Sequence, residues 1–264
     1  MAEGELVRFE TDNGIGIITV DNPPVNALSP GVPQGIVDAL DKGNADPAVR
    51  AMVLIGAGRS FIAGADIRQF GKGPPAPPPA RRHYDVMDQS PKPVVAAIHG
   101  YALGGGLETA LACHYRVAVP SAKVGLPEVL IGILPGAGGT QRLPRLIGPK
   151  LALEMITSGR HVSAEEAHKL GIVDEIAPEG QLKEAAIAFA RKIADHRPLP
   201  VIRNSDGKLA EGTPELFDNM RKSIARRARN QRAPYACIEA VEAACKLPFD
   251  EGAALERKLF DVQV

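Results

Sequence analysis

The sequence predicts an α/β fold of parallel strands joined by helical crossovers, with a helical region at its C-terminal end. Three observations carry this. Short aliphatic runs at Ala51 to Ile55, Val94 to Ile98 and Val117 to Val119 read as buried strands, with helical patterns between them. Glycine clusters follow the strand runs, in FIAGAD (61–66), YALGGGLE (101–108) and LPGAGGTQ (134–141). From Arg197 onward the strand signals stop, which divides the chain into a core over 1–196 and a helical region over 197–264.

The elements follow in order. Asp12, Asn13 and Gly14 stand between two β-favouring runs, a hairpin signal. Ser29 and Pro30 read as a cap and first helical residue ahead of Ile36, Val37 and Leu40. Five prolines in the six positions 74–79 exclude helix and ladder there and read as an exposed loop. Ser163 to Glu166 is a capping box, and Leu170-Gly171 is the matching C-cap. Between 181 and 195, Leu182, Ala185, Ala186, Phe189, Ala190 and Ile193 fall on one helical stripe.

Composition bounds the function. Of 264 residues, 31 are Lys or Arg and 31 Asp or Glu, so bulk electrostatic binding of nucleic acid is excluded. With 7 Phe, 4 Tyr and no Trp, a base-stacking platform is excluded as well. The six basic residues within 221–232 are the one local exception; they read first as a solvated helix face, with attraction of nucleic acid, acidic lipid or the phosphates of coenzyme A as the alternative. Cys113, Cys237 and Cys245 are too few and too widely spaced for a disulfide framework or a zinc site, and His99, His114 and His168 lack metal spacing. No apolar run is long enough for a membrane span, and the final Asp-Val-Gln-Val is no lipidation or peroxisomal signal; the expectation is a cytoplasmic protein.

A chain that leaves a strand and enters a helix presents free N–H groups at the positive end of the helix dipole, a setting for an anionic ligand. Neither nucleotide motif fits, because G-x-x-x-x-G-K-[ST] is absent and Gly104-Gly105-Gly106 lacks the G-x-G-x-x-G spacing. Glu108 lies just inside the helix that Gly105 and Gly106 would open, where the dipole favours the ionised form. Glu128, amid the apolar VGLPEVL, would have its pKa raised by burial. One charged and one protonated carboxyl form a workable base and acid. A helix-start acid and a solvated turn residue remain the structural alternative.

These residues resemble the crotonase (enoyl-CoA hydratase/isomerase) family. FIAGADI, KPVVAAIHGYALGGGLE, VGLPEVLIGILPGAGGTQRLPRLIG and SGRHVSAEEAHKLGIVDEI reproduce its motifs in order and spacing, with Glu108 and Glu128 twenty residues apart. DNPPVNALSP, ACHYR and PFDEGAALERKLF are similar to the N-terminal hydratase/isomerase part of multifunctional fatty-acid β-oxidation enzymes, which continue into a hydroxyacyl-CoA dehydrogenase. The resemblance implies a crotonase-like spiral of ββα turns. It implies hydration of a 2-trans-enoyl-CoA to a 3-hydroxyacyl-CoA, with secondary 3-enoyl to 2-enoyl isomerisation. Glu108 would hold and deprotonate the water, Glu128 would protonate C2, and the N–H groups of Ala65 and Gly105 would form the oxyanion hole. Ala63, Asp66, Ile67 and Arg68 are the implied contacts to coenzyme A. The resemblance implies no metal and no resident cofactor, the coenzyme A thioester being the substrate's carrier. It implies a homo-oligomer, trimer or hexamer, unless the chain is part of a multifunctional protein. The alternatives are a dedicated isomerase, an acyl-CoA hydrolase, and a crotonase-like module that binds RNA or acyl-CoA without catalysis.

Overall fold

The hairpin predicted at Asn13-Gly14 joins β1 (Val7–Asp12) to β2 (Ile15–Val20), with φ of 47° and 85° at the two turn residues, the conformation that Asn and Gly tolerate best. The structure, a computed structural model, describes residues 5–69 and 81–264. The proline-rich segment 74–79 lies outside the described residues.

After β2 the first helix, α1 (Val32–Ala45), begins later than Ser29-Pro30 would place it. Gly31 turns the chain at φ 94°, and Pro33 takes the early helical position that needs no N–H donor. Ser29 is used elsewhere, its hydroxyl donating to Asp66 and accepting from Asn22. Next come β3 (Ala51–Gly56), α2 (His83–Asp88), β4 (Val94–Ile98), β5 (Tyr101–Leu103) and α3 (Gly105–Ala112). These are followed by β6 (Tyr115–Ala118), β7 (Lys123–Gly125), α4 (Gly139–Ile147), α5 (Pro149–Ser158) and β8 (Val162–Ser163). Then α6 (Ala164–Leu170), β9 (Glu175–Ile176), α7 (Leu182–Ile193), α8 (Pro214–Ile224), α9 (Ala233–Lys246) and α10 (Phe249–Asp261) complete the chain.

Two sheets organise the core. One runs β1-β2-β3-β4-β6-β9 and is parallel from β2 onward; the other runs β5-β7-β8. The chain steps from β4 to β5, and again from β6 to β7, so each passage lays a strand in the large sheet, one in the small sheet, then a helix. This is the spiral of ββα turns. β3, β4 and the core of β6 are continuous aliphatic runs because both faces of the large sheet are covered.

The predicted cap of α6 is present: Ser163 accepts from the Glu166 N–H at 3.2 Å, and Gly171 closes the helix in the left-handed region. In α7 the predicted stripe is buried at Leu182, Ala186, Ala190 and Ile193, while Phe189 is half-buried and packs edge-on against Tyr115. The C-terminal helices share the core of the spiral. Phe217, Ile224, Cys237, Ile238 and Val241 join its buried cluster, and α9 packs on α4 and α5. The buried histidine His114 has a structural role, its Nδ1 accepting the Val94 N–H at 3.0 Å.

One glycine controls how closely a helix meets the turn that runs beside it. A Cβ at Gly106 would stand 1.8 Å from the Ile62 carbonyl oxygen, and backbone cannot yield as a side chain can. Gly106→Ala is expected to destabilise the fold by about 3 kcal/mol. Chemical denaturation reads this directly, and a midpoint equal to that of the parent would contradict the packing.

Candidate active site

The two glycine-rich turns converge because each leaves a strand beside the other. The Leu28 N–H donates to Gly64 O at 2.9 Å, and Leu103 N–H to Ile62 O at 3.3 Å, which draws FIAGAD alongside the end of β5. At Gly104, φ 51° and ψ −126° turn the chain directly from β5 into α3, a conformation open to glycine. A Cβ there would meet Glu128 Oε1 at 2.8 Å. The Gly105 N–H, in the first turn of α3, has no intrahelical partner. The Ala65 N–H takes no part in the Leu28–Gly64 bond, and Ala65 N lies 3.5 Å from where a Cβ on Gly105 would stand.

These groups line a cavity of about 710 Å³, which also receives Ala63, Ile67, Glu108, Glu128, Tyr84, Ile133 and Phe260. The structure therefore brings Ala63, Ala65, Ile67, Gly105, Glu108 and Glu128 to one space. Asp66 and Arg68 stand beside it, closed on each other. Arg68 donates from Nε at 2.8 Å and Nη2 at 3.0 Å to the Asp66 carboxylate, which also accepts the Ser29 hydroxyl. These hydrogen bonds hold the Asp66 carboxyl well below the usual range.

Glu108 is buried, in the first turn of α3. Its Oε1 accepts the N–H groups of Ala137 and Gly139, each at 2.8 Å, from the turn that opens α4. Two helix N-termini thus meet at one carboxylate. Burial raises the Glu108 pKa, the two N–H donors and the Arg142 charge opposing the rise. Glu128 opens a single 3₁₀ turn, Glu128–Ile131, after Pro127. Its buried Oε2 has no hydrogen-bond partner among the described residues. Burial and then the Glu108 charge push its pKa well above the ordinary value, so the Glu128 carboxyl keeps its proton more readily than Glu108 does.

A third carboxyl comes from the far end of the chain. Glu256 on α10 is buried and accepts from Gly138 N at 2.6 Å, Thr140 N at 3.0 Å and Thr140 Oγ1 at 2.5 Å. Burial, then the Glu108 charge, push it up to about 8. Sequence reasoning did not single out Glu256, Tyr84 or Phe260. A signal for Glu256 existed: it occupies the same helical stripe as Phe249, Gly252 and Phe260, an acid where the pattern is otherwise apolar or small.

Carboxyls with raised pKa hold protons in the fold and release them on unfolding, so rising pH favours the unfolded chain. His83 and His114, lowered by burial to about 3 and about 4, act oppositely, but only below their ordinary value of 6.5. Between pH 6.5 and about 8 the carboxyls act without that opposition. Thermal stability is expected to fall across this interval, Glu256 contributing at most about 1.4 kcal/mol per pH unit. Melting curves at pH 6.5, 7.2 and 8 test this, a rising Tm being the contrary result.

The family model described as enoyl-CoA hydratase/isomerase matches residues 10–206. The chain is 48% identical over 261 residues to a peroxisomal bifunctional enzyme of Danio rerio, covering 98% of this chain and 35% of that protein. It is 40% identical to a peroxisomal fatty acid beta-oxidation multifunctional protein of Arabidopsis thaliana, covering 92% and 35%. The chain therefore spans about a third of the length of these relatives. Among solved structures it is similar to an enoyl-CoA hydratase from Mycobacterium marinum, with 36% identity, TM-score 0.68 and coverage of 84% and 90%. A second, from Bacillus anthracis, has 31% identity, TM-score 0.64 and coverage of 97% and 90%. The cytoplasmic expectation is overturned by these relatives, which are peroxisomal or, in Cucumis sativus, glyoxysomal. Few cysteines and no apolar span do not distinguish the cytosol from an organelle matrix, and organelle addresses are short receptor-read signals that leave no mark on a fold. By motif, fold and extent of match, the chain belongs to the enoyl-CoA hydratase/isomerase family.

Proposed function

We propose that the chain hydrates 2-trans-enoyl-CoA to 3-hydroxyacyl-CoA in fatty-acid β-oxidation, with 3-enoyl-CoA isomerisation as a secondary activity. The observation that carries this is the meeting, in one cavity, of two carboxyls with the N–H groups of Ala65 and Gly105. Those N–H groups receive the thioester oxygen, where negative charge develops as water adds to C3. Each such donor is worth about 10²–10³ in kcat. Glu108 Oε1 is occupied by Ala137 and Gly139, which leaves Oε2 to take the proton from water. Glu128, the more protonated of the two, supplies the proton that forms the C2–H bond. Proton exchange with water then resets both carboxyls.

Isomerisation needs one carboxyl, which in its ionised form takes the proton from C2 and returns it at C4; Glu128, with its unpartnered Oε2, would serve in that form. The reaction calls for no metal and no resident cofactor. Coenzyme A would lie along Ala63 and Ile67, with Asp66 and Arg68 at the rim. The relatives support a peroxisomal setting and a place within a longer multifunctional protein; a chain that stands alone would form a homo-oligomer, trimer or hexamer. A dedicated isomerase, a hydrolase, or a non-catalytic binding module would not require both carboxyls. The test is loss of the conjugated enoyl-thioester absorbance on mixing purified protein with crotonyl-CoA and longer 2-enoyl-CoA. Unchanged absorbance with every chain length would sink the reading.

A further inference from the structure

The turn from Ala137 to Thr140 is gripped from two sides on alternating amides. Glu108 accepts the first and third N–H groups, from Ala137 and Gly139, and Glu256 accepts the second and fourth, from Gly138 and Thr140. On its carbonyl side, Gly138 O accepts the Gln141 and Arg142 N–H groups at 3.2 and 2.8 Å, and Ala137 O accepts from Arg142 Nη1 at 3.3 Å. Gly138 sits at φ 97° as the N-cap of α4 and offers no side-chain cap; Gly136 precedes the stretch and Gly139 lies within it. Packing constrains it closely: a Cβ on Gly139 would stand 2.8 Å from Glu108 Oε1, and one on Gly138 would stand 2.1 Å from Arg142 Nη1.

α10, which carries Glu256, is itself fixed at both ends. Phe249 lies beneath the guanidinium groups of Arg142, Arg145 and Arg203, at 4.9, 5.1 and 4.6 Å from its ring centre. Two turns beyond Phe249 stands Glu256, and one turn further Phe260 packs on Gly136 at the cavity wall.

We propose that Glu256 is a positioning residue for the hydration reaction, setting through the 137–140 backbone the place at which Glu108 presents its free oxygen to water. This rests on the hydratase reading. Gln at 256 keeps the size of the side chain but turns a donor toward Gly138 N–H or toward Thr140, so one of the two amides loses its acceptor. Glu108 Oε1 then sits on a loosened pair of donors, and displacement of a catalytic group by about 1 Å costs on the order of 10²-fold.

The experiment measures steady-state hydration of crotonyl-CoA by the parent chain, Glu256→Gln, Glu108→Gln and the double variant. Glu256→Gln is expected to lower kcat roughly 10- to 100-fold with KM held within about twofold, since the groups that bind the thioester are untouched. In the Glu108→Gln background the second substitution is expected to change the residual rate by less than about twofold, because Glu256 acts through a base no longer there. An equal fold-loss in both backgrounds, or a rise in KM at unchanged kcat, would overturn the proposal in favour of a purely structural role. Should Glu256→Gln fail to fold, Thr140→Val removes the hydroxyl donor to Glu256 and leaves its N–H donor in place; the Gln141 Nε2 that also meets this hydroxyl keeps its bond to Ala240 O. A Thr140→Val variant with parental kcat overturns the proposal; a reduced kcat at parental KM supports it. An inactive parent chain would overturn the hydratase reading itself, whereas an active parent matched by Glu256→Gln overturns this inference alone.

Discussion

Glu108→Gln is expected to lower hydration of a 2-enoyl-CoA by about 10²–10⁴-fold, with little change in KM or in the folded structure. The proposed role divides the two oxygens of Glu108. Oε1 accepts from Ala137 and Gly139, and the carbonyl of a Gln can accept the same two N–H groups. The amide nitrogen replaces the oxygen that takes the water proton, and it cannot act as a base. Isomerisation of a 3-enoyl-CoA, which needs one mobile proton and no activated water, is expected to persist in this variant. Steady-state assays with both substrates decide the matter. Hydration above a tenth of the parental rate would sink the assignment of Glu108, and loss of both activities together would contradict a role confined to water activation.

Glu108 was legible in the sequence because its chemistry is local: an acid three residues after the start of a glycine-opened helix. Half of its environment was not. The donors that grip Oε1 belong to a turn about thirty residues downstream, and nothing in Ala137 or Gly139 announces which side chain they will meet. The strands, the hairpin and the α6 cap were legible for the same local reason, since hydrophobic runs and turn residues act within a few positions. Where a long-range partner intervenes, local signals mislead. Ser29 reads as a helix cap, yet its hydroxyl is drawn to Asp66 thirty-seven residues away, and Gly31 with Pro33 opens the helix instead. Glu256 depends most on such partners: its role exists only because α9 and α10 return the end of the chain to the mouth of α4.

Glu128→Gln is expected to abolish both hydration and isomerisation, by about 10²–10⁴-fold, and at the same time to make the protein more stable at alkaline pH. The activity loss follows from its proposed role as the proton carrier to and from C2, since an amide cannot deliver that proton. The stability follows from the same environment. Burial and the neighbouring Glu108 charge push its pKa well above the ordinary value, so as pH rises the unfolded chain gains a free energy of ionisation that the fold withholds. Its Oε2 also lacks a partner, so the native carboxyl has no hydrogen bond there for the amide to break. A neutral Gln of the same shape removes the titration, and Tm at pH 8 is expected to exceed that of the parent, the two converging toward pH 5. A drop in Tm at pH 8, or hydration above a tenth of the parental rate, would contradict the assignment. The paired outcome identifies a carboxyl kept for chemistry at a cost to the fold, which neither measurement shows alone.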